Sequence, residues 1–192
     1  MDKIVIIGSP GAGKTTLARA LGPLLKVKVF HLDRLFWQRD WKGKTTETRI
    51  DILQHLVQEK QWIIEGTYLS SSEPRLNAAD TIIFLDVSPL VCLLRIMKRH
   101  REYFGHSRRD IPEGCTDKLT LYRMWEVLTF PIRGRKLKQK LRSYKFKRII
   151  WLRSTEEVED FLAQQEQDAD DKSNSTSTVP SAKEKLSVAP GR

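Results

Sequence analysis

Two cysteines, Cys92 and Cys115, are all that 192 residues hold. They are too few for a disulfide framework and too far apart for a Cys-x-x-Cys pair, so a reducing, cytoplasmic setting is expected. Long apolar runs are missing as well. Met1 to Ile7 places a lysine before a short apolar stretch, too short for the core of a signal peptide. No other run approaches the ~20 residues of a membrane-spanning helix, so no membrane partner is expected. Histidines number four, and His100, His106 and Cys115 lack the spacing of a structural zinc site; they are read as ordinary surface residues. Acidic residues are in deficit: 24 Asp and Glu stand against 34 Lys and Arg, a formal charge of +10. The imbalance is local, because residues 92–148 hold 17 basic and 5 acidic residues. An acidic partner follows: nucleotide phosphates, another phosphorylated metabolite, or nucleic acid. The length allows one sizeable core and leaves little for a second.

What is present begins with Gly8-Ser9-Pro10-Gly11-Ala12-Gly13-Lys14-Thr15-Thr16. The apolar run Ile4 to Ile7 precedes it and Leu17, Leu21 and Leu25 follow at helical spacing, which gives strand, glycine loop, helix. Gly8, Gly13, Lys14 and Thr15 meet the pattern G-x-x-x-x-G-K-[ST]. Glycines let successive N–H groups converge on phosphate oxygens at the positive end of a helix dipole. Lys14 adds a mobile charge for the β and γ phosphates, and the Thr15 hydroxyl is placed to coordinate magnesium. Nucleotide binding follows; kinases, ATPases and GTPases all share the loop.

Further along, Val27 to Leu32 reads as a second strand delivering His31-Leu32-Asp33, and residues 34–44 as a polar and aromatic loop with Trp37 and Trp41. A helix is expected from Thr45 or Thr46 to about Glu59, then a strand Trp62 to Ile64 ending at Glu65-Gly66-Thr67-Tyr68. Asn77 to Asp80 reads as a helical turn. Thr81 to Val87 is the fourth strand, followed by a helix opened by Ser88-Pro89 with Val91, Leu94 and Met97 inward. His100 to Thr116 is loop-like and basic. Helices are expected over Asp117 to Phe130 and again after Pro131, then a last strand Arg148 to Leu152 and a last helix from Ser154. Residues 1–165 form one domain, and 166–192 read as a disordered polar tail. Five strands alternating with helices imply a parallel sheet covered on both faces, with ligands beyond the carboxyl ends of the strands. The ends that matter are the glycine loop, Asp33, Glu65 and Asp86.

This set of strand ends, with Asp86-Val87-Ser88-Pro89 leading to Arg95-x-x-x-Arg99, resembles the adenylate kinase-like small-molecule kinases. More narrowly, His31-Leu32-Asp33 near Trp37, Trp62-Ile63-Ile64-Glu65-Gly66-Thr67-Tyr68, and Arg108-Arg109-Asp110 before Gly114-Cys115 resemble the DNA topology modulation proteins. The resemblance spans about Met1 to Leu162. It implies a P-loop NTPase three-layer α/β sandwich, strand order 2-3-1-4-5, and a short lid over about 100–116. It implies ATP and Mg2+ as the nucleotide and metal, and a small-molecule phosphoryl acceptor. Asp33 would then hold the acceptor hydroxyl and take its proton; its alternative is a helix cap or an ion pair with Arg34. Glu65 would hold a magnesium-bound water; its alternative is a solvated strand end. The Pro-Arg that often follows in adenylate kinases is replaced by Tyr68-Leu69, which argues against a nucleoside monophosphate acceptor; Arg75 could grip a phosphate only from another loop position. Arg95 and Arg99 would reach the nucleotide, and Arg109, with Arg108 and Arg123, would close on the transferring phosphoryl group. Phe36 and Trp37 could wall an acceptor pocket.

Two functions compete. The first is an ATP-dependent small-molecule kinase; the second is a nucleic-acid-associated regulatory ATPase or ATP switch, motivated by the basic run Arg133 to Arg148.

Overall fold

Strands that alternate apolar side chains over both faces can only be sheltered by helices on both sides, and this chain supplies them. The computed structural model describes residues 1–103, 115 and 120–176. Its elements are β1 (Lys3–Gly8), α1 (Lys14–Leu25), β2 (Val29–His31), α2 (Leu32–Phe36), β3 (Trp37–Gln38), β4 (Lys42–Gly43), α3 (Thr46–Leu56), β5 (Trp62–Glu65), α4 (Glu73–Ala78), β6 (Thr81–Leu85), α5 (Pro89–Glu102), α6 (Leu121–Ser143), β7 (Arg148–Leu152) and α7 (Thr155–Thr176). The main sheet is parallel throughout, in the order β2-β5-β1-β6-β7. Counted among its own five strands, that order is 2-3-1-4-5.

Side chains two apart share a face. Ile4, Ile6, Ile83 and Leu85 pack with Leu17, Leu21, Cys92, Ile96 and Phe161 on one side. Val5, Ile7, Ile82 and Phe84 pack with Phe36, Leu53, Leu76, Leu137 and Leu141 on the other. The strand β1 lies in the middle, with Ile6 in register with Glu65 of β5, and His31 of β2 also opposite Glu65. The end of β1 therefore opens the glycine loop beside two strand ends that carry polar side chains.

Several expectations change. Residues 34–44 are not an open loop: α2 starts directly after β2, so Asp33 stands in the first turn of a short helix, and β3 pairs with β4 as a small antiparallel ribbon. The fourth helix is longer than one turn and spans Glu73–Ala78. On α5 the inward residues are Cys92 and Ile96, while Val91, Leu94 and Met97 are exposed. The physical reason is Arg95, which must face the glycine loop and α7; that rotation turns Leu94 and Met97 outward. The helix α6 runs through Pro131, which lacks only one intrahelical donor. The last helix continues beyond Gln165 to Thr176. Cys115 is buried and its thiol donates to the Gln38 carbonyl at 3.3 Å. Among the described residues no helix is long and apolar enough to cross a membrane.

Candidate active site

The glycine loop is tight enough to exclude side chains. Gly11 has φ 78°, and a Cβ there would lie 2.4 Å from the Cys92 carbonyl oxygen of α5. Gly13, φ 100°, caps α1 and hands the loop to the helix. Lys14 Nζ donates to the carbonyls of Gly8 (3.1 Å) and Ser9 (2.9 Å). Desolvation lowers its pKa below the ordinary lysine value, opposed by the charges of Glu65 and Asp33. A glycine loop that hands over to the N-terminus of α1, with the Lys14 ammonium beside it, fits a nucleotide's phosphates.

Glu65 ends β5 almost fully buried. Its Oε1 accepts from the Thr15 hydroxyl at 3.1 Å and lies 2.9 Å from His31 Nδ1. Two hard oxygens, one hydroxyl and one carboxylate, meet where the phosphate loop enters α1. That donor set fits magnesium, which takes oxygen ligands and keeps several waters.

The turn after β5 connects this corner to a second one. Gly66 has φ 134°, and a Cβ there would lie 2.9 Å from Leu32 Cβ; Tyr68 also has positive φ, 22°. Three contacts hold the turn. Thr67 Oγ1 donates to the Gly8 carbonyl at 2.5 Å, Arg75 Nη2 donates to the Thr67 carbonyl at 2.6 Å, and the Tyr68 hydroxyl donates to Asp33 Oδ1 at 2.5 Å. Trp37 Nε1 in turn donates to Tyr68 Oη at 2.6 Å. Burial first, then the neighbouring Asp33 charge, raises the Tyr68 phenol far above its ordinary value. Tyr68 is thus a permanent donor to Asp33. Behind it, the Arg49 guanidinium sits 5.4–5.7 Å from the ring centres of Phe36, Trp37 and Tyr68, a cation against aromatic faces.

Lys14, Thr15, Thr16, Asp33, Glu65, Arg95 and Arg99 border one cavity of about 1150 Å³, with Trp37, Trp41 and Tyr68 as its aromatic wall. Arg95 is braced there, donating to the Ala12 carbonyl (3.2 Å) and to Thr155 Oγ1 (2.8 Å). Other expected residues lie elsewhere. Asp86 accepts from Lys138 Nζ at 2.7 Å and does not border the cavity. Arg75 is fully buried beneath the turn and is committed to Thr67, so it offers no grip on an acceptor's phosphate; burial pulls its pKa down to about 10. Arg108 and Arg109 lie outside the described residues, as does the side chain of Arg123.

Tyr68, Thr67, His31, Arg49 and Thr155 were not assigned site positions from sequence. A signal existed for two of them: Gly66 at a strand end marks a turn, and the hydroxyls that follow it are delivered there.

Residues 4–110, more than half of the chain, match the profile of the AAA domain. The chain belongs to the AAA domain family. Among curated relatives of this AAA domain chain, "Putative adenylate kinase" of Pyrococcus furiosus is 31% identical over 119 residues, covering 60% of this chain and 63% of that protein. "Threonine synthase-like 1" of Homo sapiens is 27% identical over 139 residues, 64% of this chain but 19% of the human protein. The matches therefore span less than two thirds of either relative. Among solved structures, shikimate kinase from Acinetobacter baumannii in complex with shikimate aligns with TM-score 0.58 at 13% identity, over 94% of this chain and 96% of that one. The fold of this AAA domain is that of the P-loop kinases.

Proposed function

We propose that this AAA domain protein is an ATP-dependent phosphotransferase that moves the γ-phosphoryl group to the hydroxyl of a small acceptor. The observation that carries the proposal is that Asp33, held by Tyr68, and residues 10–16 of the glycine loop border the same cavity. In the proposed reaction the acceptor oxygen forms a bond to Pγ as the bond from Pγ to the bridging oxygen breaks. The acceptor proton passes to Asp33, and ADP leaves. Tyr68 occupies Oδ1 of Asp33 and leaves Oδ2 to receive the acceptor hydroxyl. Lys14 and Arg95, with Arg99 and Arg109, offset charge on the transferring group. Magnesium, held by Thr15 and through water by Glu65, would neutralise the β and γ phosphates. Trp37 and Trp41 line the cavity on the acceptor side, which suits a nucleoside, sugar or cyclic alcohol.

The test separates binding from transfer. ATP affinity measured by calorimetry should fall at least ~10-fold in Lys14→Ala and stay near wild type in Asp33→Asn, because only the first residue faces phosphate. A loss of ATP affinity of the same size in both variants contradicts the division of roles.

A second reading rests on one observation. Phe146 is fully exposed between Lys145 and Lys147, beside exposed Arg142 and Arg148. With the narrower resemblance to DNA topology modulation proteins, this favours nucleic acid as a further partner. Lys138 and Lys147 are partly used inside the fold, on Asp86 and on the Asn77 and Ala79 carbonyls. Binding through the remainder should weaken steeply with salt.

A further inference from the structure

Glu65 Oε1 is held from two sides. The Thr15 hydroxyl donates to it at 3.1 Å, and His31 Nδ1 lies 2.9 Å away. An ionised carboxylate only accepts, so the His31 ring carries a proton on Nδ1 and donates it; the neutral Nδ1–H tautomer and the imidazolium both do so. Sheet register makes the contact, because His31 of β2 stands opposite Glu65 of β5. His31 also takes the position just before α2, yet its side chain makes no capping bond there and turns to Glu65 instead. The pair is shielded: the side chains of His31 and Glu65 are 18% and 5% exposed, so water has little room to replace a lost donor. Glu65 borders the cavity and His31 does not. Whatever His31 does for a ligand there passes through Glu65.

We infer that His31 is a positioning residue for the nucleotide's magnesium: its bond to Oε1 fixes the rotation of the Glu65 carboxylate, so that Oε1 stays with Thr15 and Oε2 is left to metal-bound water. The inference rests on the reading of Thr15 and Glu65 as the magnesium side of the nucleotide site, and not on transfer to an acceptor. A glutamate held by Thr15 alone can swivel about that one bond. A second donor on the same oxygen, from a neighbouring strand, removes that freedom. Thr15 depends on this arrangement, since its hydroxyl hydrogen goes to Glu65 while its oxygen lone pairs are those that suit a metal. With Glu65 turned away, that hydrogen loses its acceptor and the hydroxyl is free to rotate. Hydrogen-bond partners of this kind, one bond removed from a metal, change metal affinity by about 10–100-fold.

Calorimetric titration of the full chain with the ATP analogue whose β–γ bridging oxygen is replaced by an imide, in magnesium and again in EDTA, tests this without any acceptor. The quantity read is the factor by which magnesium tightens the analogue. His31→Phe keeps a ring and removes the donor; the factor should shrink about 10-fold, with the affinity in EDTA unchanged. His31→Asn, whose amide can donate from near the Nδ1 position, should recover the factor to within about 3-fold of wild type. A merely structural role would weaken binding alike in both conditions, and the asparagine would not rescue it. A His31→Phe factor equal to that of wild type, a loss of equal size in magnesium and in EDTA, or a His31→Asn variant no better than His31→Phe overturns the inference. Wild-type binding that magnesium does not tighten overturns it together with the placement of magnesium at Thr15 and Glu65. The expected pattern in a chain that phosphorylates no acceptor supports it and contradicts the phosphotransferase reading alone.

Discussion

The Tyr68 hydroxyl lies 2.5 Å from Asp33 Oδ1, across 35 residues of sequence. The same turn sends Thr67 Oγ1 to the Gly8 carbonyl. One three-residue segment therefore touches both the phosphate loop and the carboxylate on the acceptor side.

Tyr68→Phe keeps the ring against Phe36, an edge contact at 4.8 Å, and removes the donor to Asp33. Turnover should drop ~10-fold with ATP affinity unchanged, while Asp33→Asn should cost ~100-fold or more. Steady-state kinetics of the two variants checks this. Equal losses would show that Tyr68 does more than orient Asp33.

Gly66→Ala places a methyl group 2.9 Å from Leu32 Cβ at φ 134°. The turn must shift, with a loss of ~1–3 kcal/mol in stability, and Asp33 loses its alignment with the loop. Urea unfolding and turnover should both report it. A variant of wild-type stability and activity would mean that the turn does not set the site.

Arg75→Ala removes a fully buried guanidinium from under that turn. The Thr67 carbonyl loses its donor and a large void remains, costing ~3–5 kcal/mol. Chemical denaturation measures the loss. A loss below ~1 kcal/mol would say that the unpartnered Nε and Nη1 already cancel the benefit of the bond.

Asp80 anchors the start of β1, accepting from the N–H groups of Asp2 and Lys3 at 2.8 Å each. Burial raises its pKa, but the bonds from Thr81, Lys3 and Asp2 and the amino-terminal charge outweigh this, and the net shift is downward. Since the unfolded carboxylate binds its proton more readily, this stabilisation is present above about pH 4 and is lost as pH falls through the lower folded value. Asp80→Asn should therefore melt below wild type at neutral pH, with the gap closing toward pH 2. A gap that stays constant into acid would contradict the assignment.

The glycine loop and the alternation of strands and helices were legible because each rests on local patterns: short apolar runs, helical spacing, and a loop whose residue types are dictated by phosphate; the order of the strands in the sheet followed only from the family resemblance. Glu65 and Arg95 were legible as strand and helix positions, whereas Asp33, expected at a strand end, stands in the first turn of α2. The facing of α5 was not, because Leu90, Val91, Leu94 and Met97 form as good an apolar stripe as the one around Cys92 and Ile96. A polar contact, Arg95 on Ala12 and Thr155, decided the rotation. The pairing of Tyr68 with Asp33 was invisible for another reason: it depends on the backbone of Gly66 and on the start of α2, and no periodicity reports either. The fate of Arg75 likewise turns on tertiary burial.

The most direct test of the account is mass-detected phosphoryl transfer from ATP with magnesium to a panel of nucleosides, nucleotides, sugars and cyclic polyols, using wild type, Lys14→Ala and Asp33→Asn. The account predicts a product one phosphoryl group heavier than a panel member, lost in both variants. ATP bound normally by wild type with no panel member phosphorylated, or a product formed equally well by Asp33→Asn, would contradict it.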